Sequence, residues 1–307
     1  MDIGRLVTAM VTPFERADSY YGFPRVDYVR AGLLAKALVA SGSDGLVVTG
    51  TTGENPALFH EENANLWHAV KDAVGDTAAV IAGSGTNGTD ESVHLSREAK
   101  EAGADALLLV VPYYNKPTQE GLYLHFRKIA ESMELPCILY NVPSRTIVNM
   151  TAETTLRLAE VSNIVGIKEA SGDFAQIGEI IRNAPEGFKV WSGNDSDTFG
   201  VMSLGGHGVV SVASHLIGLQ VRHLISLITE GRLVEAAEEH LRQLRMAKGL
   251  FVITSPIPVK YCLNKVGFPV GGLRLPLVEA DPGTAAFLDD LLAGYEIDLP
   301  LETGVHT

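Results

Sequence analysis

The chain has 307 residues, 46% of them hydrophobic, 20% charged and 7% aromatic, which suits a globular protein large enough to bury a full core without disulfides or metal staples. The formal net charge of −13 argues against nucleic acid as a main partner, because that binding needs a basic face. The start, MDIGRLVTAMVTPF, lacks the basic and long apolar segments of a signal peptide, and no run reaches the ~18 apolar residues of a membrane span. The two cysteines, Cys137 and Cys262, sit in apolar surroundings without CxxC or His-rich spacing, so a reducing, cytoplasmic setting without a zinc site is expected.

In chain order, short β-branched apolar runs recur: RLVTAMV, DGLVVT, AAVIAG, DALLLVV, CILYNV, NIVGIKEA, KVWSG and GVVSVA. Each is followed by a Gly/Pro/Asn/Ser/Thr cluster and then a helical pattern. Amphipathic stretches are predicted at 61–74, 90–102, 119–132 and 151–160. Runs too apolar to alternate read as strands buried on both faces, as parallel sheets require. Eight such units predict an α/β fold, a closed (β/α)8 TIM barrel. The rival, an open doubly wound sheet, usually carries a Gly-rich turn after its first strand, where this chain has TAMVTPF.

Residues 1–215 are read as the barrel core. Residues 216–307 are read as the last barrel helix plus a small helical C-terminal region, continuous with it. Helices are predicted at 216–230, at 232–250 and near 283–293, and 15–27 is a polar first loop placed over the barrel mouth.

Unusual polar residues gather just after nearly every strand. They are Thr8 and Thr12, GTTGE (50–54), GSGTN (83–87), PYYN (112–115), YNVPSRT (140–146), KEASGD (168–173) and SGNDSD (192–197). Strand C-terminal ends converge on one face of a barrel, and active sites are built there. Lys168 ends the run NIVGIK, with its amine expected near the mouth. Taken alone, a strand-end lysine more often pairs with a carboxylate such as Glu169. In a pocket, desolvation favours the free amine, a nucleophile that forms an imine with a carbonyl substrate. Tyr140 ends the adjacent strand and could shuttle protons. GTTGE offers hydroxyls and successive backbone N–H groups to a carboxylate. Arg145 could pair bidentately with another. Tyr113 and Tyr114 suit a pocket wall or a subunit contact.

Together GTTGE, PYYNKPTQEGLYLHF, LYNVPSRT, GIKEASGD, SGND and PIPVK resemble the dihydrodipicolinate synthase / N-acetylneuraminate lyase family of class I aldolases, in family order from Leu6 to the C-terminal helix. The resemblance implies that Lys168 holds pyruvate as a Schiff base. Tyr140, Thr51 and a Tyr114 contributed by a neighbouring subunit form the proton relay. Thr51 and Thr52 hold the pyruvate carboxylate, and backbone near Val210 lines the same pocket. An arginine in PSRT, here Arg145, marks the branch that condenses pyruvate with L-aspartate 4-semialdehyde in the diaminopimelate route to lysine. A pyruvate-dependent aldolase, lyase or dehydratase acting on a keto sugar acid would not need it, and a non-catalytic keto-acid sensor would need neither Lys168 nor Tyr140. The resemblance further implies no metal or organic cofactor, and a homotetramer built as a dimer of dimers. It also implies an L-lysine effector site at His60, Asn87, Glu91 and Tyr113. Asn55, Pro56 and Asn63 depart from the commonest lysine-sensitive pattern, and the first loop is longer than the family suggests.

Overall fold

The computed structural model describes residues 3–15 and 24–301. Eight strands pair in sequence order into a closed parallel barrel: β1 (Leu6–Ala9), β2 (Gly45–Val48), β3 (Ala79–Gly83), β4 (Ala106–Val110), β5 (Cys137–Asn141), β6 (Ile164–Glu169), β7 (Lys189–Ser192) and β8 (Gly208–Ser211). Each apolar run became a strand because its side chains are covered on both faces, inside by the barrel core and outside by helices. The ring closes where Val7 of β1 meets Val210 of β8.

The connections are α1 (Tyr28–Ala40), α2 (His60–Val74), α3 (Thr89–Glu101), α4 (Gln119–Glu131), the single turn α5 (Pro143–Thr146), α6 (Ala152–Ala159), α7 (Phe174–Asn183) and α8 (Thr198–Ser203). After β8 come α9 (Ser214–Thr229), α10 (Leu233–Gly249), α11 (Ile257–Lys265) and α12 (Pro282–Ala293). The caps are local chemistry. Asp27, Thr118, Thr151, Asp173 and Asp281 accept backbone N–H groups at the starts of α1, α4, α6, α7 and α12. Of the elements after β8, α11 is the one that the sequence pattern leaves unassigned. It begins within SPIPVK, and proline is compatible with a first helical turn, where its missing N–H would be unpaired anyway.

Residues 16–23 of the first loop lie outside the described residues, so the expectation of a cover over the mouth falls there. At its edges the loop is pinned by an isolated Phe14–Val26 bridge. Both cysteines are free and buried, and burial pushes each thiol up to about 12. Among the described residues, no helix is long and apolar enough to cross a membrane.

Candidate active site

Two cavities open at the C-terminal ends of the strands, of about 480 Å³ and 240 Å³. Both are lined by Thr51, Tyr140, Val142 and Arg145, so they form adjoining chambers of one cleft. The larger holds Lys168 and Thr52. Tyr113 lines the smaller.

Lys168 and Tyr140 are register partners on neighbouring strands, which places their side chains at one level of the barrel. The Lys168 Nζ lies 4.2 Å from the centroid of the Tyr140 ring, and both residues are 6% exposed. The ion pair that a strand-end lysine usually makes with its neighbour is not formed. Successive strand residues point to opposite faces, and Glu169 is occupied elsewhere. It accepts from Asn141 Nδ2 at 3.1 Å, Ser171 N at 2.7 Å and Gln176 Nε2 at 3.2 Å. Burial raises its carboxyl above the ordinary range, against those donors. Asn141 in turn accepts from Met150 N at 3.0 Å. Two polar side chains outside the barrel thus lock the strand ends that carry Tyr140 and Lys168 inside it.

The adjoining wall, at the ends of β7 and β8, is organised by Asp195, which is buried. Ser211 Oγ donates to one carboxylate oxygen, and the N–H groups of Val212 and Ala213 donate to the other at 2.9 and 3.1 Å. Burial raises the Asp195 carboxyl, opposed by these donors and by the charge of Lys168. His215 holds the same corner, with Nδ1 donating to Val212 O at 2.9 Å while Nε2 accepts from Val11 N at 3.2 Å. Val212 faces the cavity. Val210, named from the sequence, is buried in β8 and is not among the lining residues. The wall is formed two residues further along.

The loop after β2 turns tightly, with Gly53 N and Glu54 N bonded to Gly50 O and Thr51 O at 3.0 and 3.1 Å. Thr49 and Glu54 both take left-handed backbone angles, each with φ of 57°. At Gly83 a Cβ would stand 2.4 Å from Thr49 O, so glycine there lets β3 close against this loop. Thr12 Oγ donates to Gly53 O at 2.6 Å. Thr8, expected at the mouth, is instead sealed in β1 with its hydroxyl 2.6 Å from Ser43 Oγ and 2.7 Å from Ser214 Oγ. It ties β1 to its neighbours and lines neither chamber of the cleft.

Arg145 is exposed at the rim. Tyr114 lines neither cavity. It is 90% exposed, with a left-handed φ of 75°, on a loop held by Asn115 Nδ2 donating to Asn87 O at 2.8 Å. Among the residues named for an effector, His60 Nε2 lies 2.6 Å from Glu91 Oε1, and Tyr113 hydrogen-bonds the Asn87 backbone. The four are therefore neighbours around the starts of α2 and α3. Burial raises the Tyr113 hydroxyl, opposed by the Asn87 contact.

The lining residues not found from the sequence include Phe251, Ile253, Thr254 and Ser255, between α10 and α11. Ser255 Oγ is shielded and has no hydrogen-bond partner among the described residues. The PIPVK motif beside them was the available signal.

A parallel barrel with a buried amine at one strand end, a phenol beside it and a guanidinium at the rim defines a class I aldolase-type barrel. The chain belongs to the Dihydrodipicolinate synthetase family, whose profile it matches over residues 2–293. It is 54% identical to a 4-hydroxy-tetrahydrodipicolinate synthase of Dehalococcoides mccartyi over 301 residues, covering 98% of this chain and 99% of the relative. A crystal structure of a dihydrodipicolinate synthase from Bacillus anthracis superposes with a TM-score of 0.92 at 42% identity, over 96% of this chain and 99% of that one. The enzyme from Cyanidioschyzon merolae, solved with lysine bound, also gives 0.92 at 42% identity, over 95% and 98%.

Proposed function

We infer that this chain is a 4-hydroxy-tetrahydrodipicolinate synthase, a lyase that condenses pyruvate with L-aspartate 4-semialdehyde on the route through diaminopimelate to lysine. The observation that carries the reading is the Lys168 amine, sealed at a strand end, facing a cavity with Tyr140 beside it and Arg145 at its rim. Full-length identity to synthases supports the choice of substrates.

In this reading the Lys168 Nζ attacks C2 of pyruvate, and loss of water from the carbinolamine gives an imine. Tyr140 accepts and returns the protons, with Thr51 next in the relay. Thr51 and Thr52 bind the pyruvate carboxylate on the loop after β2. Loss of a C3 proton gives an enamine, and its C3 attacks the aldehyde carbon of the semialdehyde, whose carboxylate pairs with Arg145. The amine of the second substrate then attacks C2, closes the ring and releases Lys168. Tyr114, outside its own chain's cavity, completes the relay of a neighbouring subunit. The assembly is a homotetramer, working in the cytoplasm, and His60, Asn87, Glu91 and Tyr113 receive lysine as effector.

Borohydride reduction in the presence of pyruvate tests the reading. One reduced pyruvyl adduct per chain should appear in the intact mass and map to Lys168, and Lys168→Ala should take up none. An unchanged mass in the parent chain would overturn the proposal.

A further inference from the structure

Outside the cleft, α3 carries Glu91, His94 and Glu98, spaced so that all three share one face of the helix. His60, the first residue of α2, meets that stripe. Its Nε2 is 2.6 Å from Glu91 Oε1, and its ring centroid is 6.1 Å from that of His94. His94 Nε2 is 3.3 Å from Glu98 Oε1. One donor atom from each of His60, His94 and Glu98 lies within 4.8 Å of the other two.

Ordinary ion pairing leaves part of this group unexplained. Glu98 Oε2 is shielded from solvent and has no hydrogen-bond partner among the described residues. A shielded carboxylate oxygen without a donor is costly unless a cation satisfies it. A zinc ion with bonds of ~2.0–2.2 Å holds its donor atoms roughly 3.4 Å apart, close to the 3.3 Å between His94 Nε2 and Glu98 Oε1. Two imidazole nitrogens with carboxylate oxygens suit zinc, nickel or copper(II), whereas calcium and magnesium prefer oxygen alone. His60 and Glu91 are 49% and 45% exposed, which leaves an entry path.

We propose that His60, His94 and Glu98 bind one divalent transition-metal ion, zinc foremost, with solvent completing the coordination. The ion joins the start of α2 to α3. It takes no part in the barrel chemistry, because none of its ligands lines the cleft. His60 is also one of the four residues proposed to receive lysine, so metal and effector compete there; the metal binding itself does not depend on that reading.

The test is a zinc chloride titration of tag-free protein stripped with a chelator, followed by calorimetry and by thermal midpoint. One ion per chain should bind with a Kd below about 10 µM, and should raise the midpoint. His94→Ala and Glu98→Gln should each weaken binding at least tenfold and remove the thermal response, with turnover of the metal-free enzyme unchanged. Absence of stoichiometric binding would overturn the proposal. So would binding unaltered in both variants, since that places the ion elsewhere.

Discussion

Lys260 Nζ donates to Glu54 Oε1 at 2.8 Å, with the two side chains 1% and 0% exposed. The pair joins α11 to the last residue of GTTGE across 206 positions of sequence. The lysine also donates to Thr12 O at 2.9 Å and lies over the Phe14 ring, while Arg274 N donates to the other Glu54 oxygen at 3.0 Å. Arg274 itself is held by two bonds to Glu62, at 2.6 and 2.7 Å. The C-terminal region thereby fixes the left-handed backbone of Glu54, three residues from Thr51. The loop proposed to meet the substrate carboxylate is positioned by charges it never shows to solvent.

Removing one partner of a buried ion pair leaves an uncompensated charge, so Lys260→Met should destabilise the fold by about 3–5 kcal/mol. Glu54→Gln combined with it should recover part of that loss. Chemical denaturation of the two variants measures both effects. In conditions where Lys260→Met stays folded, its KM for pyruvate should rise more than its kcat falls, because Thr51 and Thr52 lose their support while Lys168 keeps its own. A fall in kcat alone would contradict the positioning argument.

Arg145→Ala should lower kcat/KM for L-aspartate 4-semialdehyde by on the order of 10–100-fold, the worth of a charge-assisted pair. Borohydride trapping of pyruvate should be unchanged, because the first half-reaction occurs deeper in the cleft. Steady-state kinetics beside intact mass separates the two steps. Loss of trapping would show that the arginine acts on the first substrate instead.

Tyr114→Phe should reduce kcat by on the order of 10²-fold while pyruvate still traps on Lys168. The ring is 90% exposed in its own chain, so its contribution requires a second subunit. A mixed assembly containing Lys168→Ala and Tyr114→Phe chains should regain turnover through the pairs in which one intact Lys168 faces one intact Tyr114. No regain would confine the tyrosine to its own chain.

The eight strands were legible because each run is apolar on both faces, and Lys168 because a charge at the end of such a run stands out. Thr8 was misplaced for the same reason. A strand without polar–apolar alternation gives no sign of which face a buried threonine takes, and Thr8 turned away from the mouth to Ser43 and Ser214. Backbone near Val210, which the resemblance implied, lies two residues before Val212, the residue of this segment that lines the cavity. Ser255 and the Glu54–Lys260 pair were not legible, since each depends on chain closure between residues far apart in sequence. Pairing with Glu169, the ordinary fate of a strand-end lysine, was weighed and set aside, and the alternation within β6 does set the two on opposite faces.

Two histidines should govern acid stability. Burial lowers His215 and His125 from the ordinary 6.5 to about 4 each. Between those values the unfolded chain binds protons that the folded chain refuses, so unfolding takes up protons and stability rises with pH. Their contribution is fully present above about pH 6.5, and is lost as pH falls toward 4, by up to about 3 kcal/mol each. His125 Nδ1 meets Thr89 Oγ at 2.9 Å, and its Nε2 has no partner among the described residues. His125→Gln can keep a contact to Thr89 while removing the titration. The variant should therefore show a shallower loss of stability between pH 6.5 and 4, by close to one proton in the slope. Denaturation curves across that window measure it, and parallel slopes in parent and variant would assign the acid sensitivity to other groups.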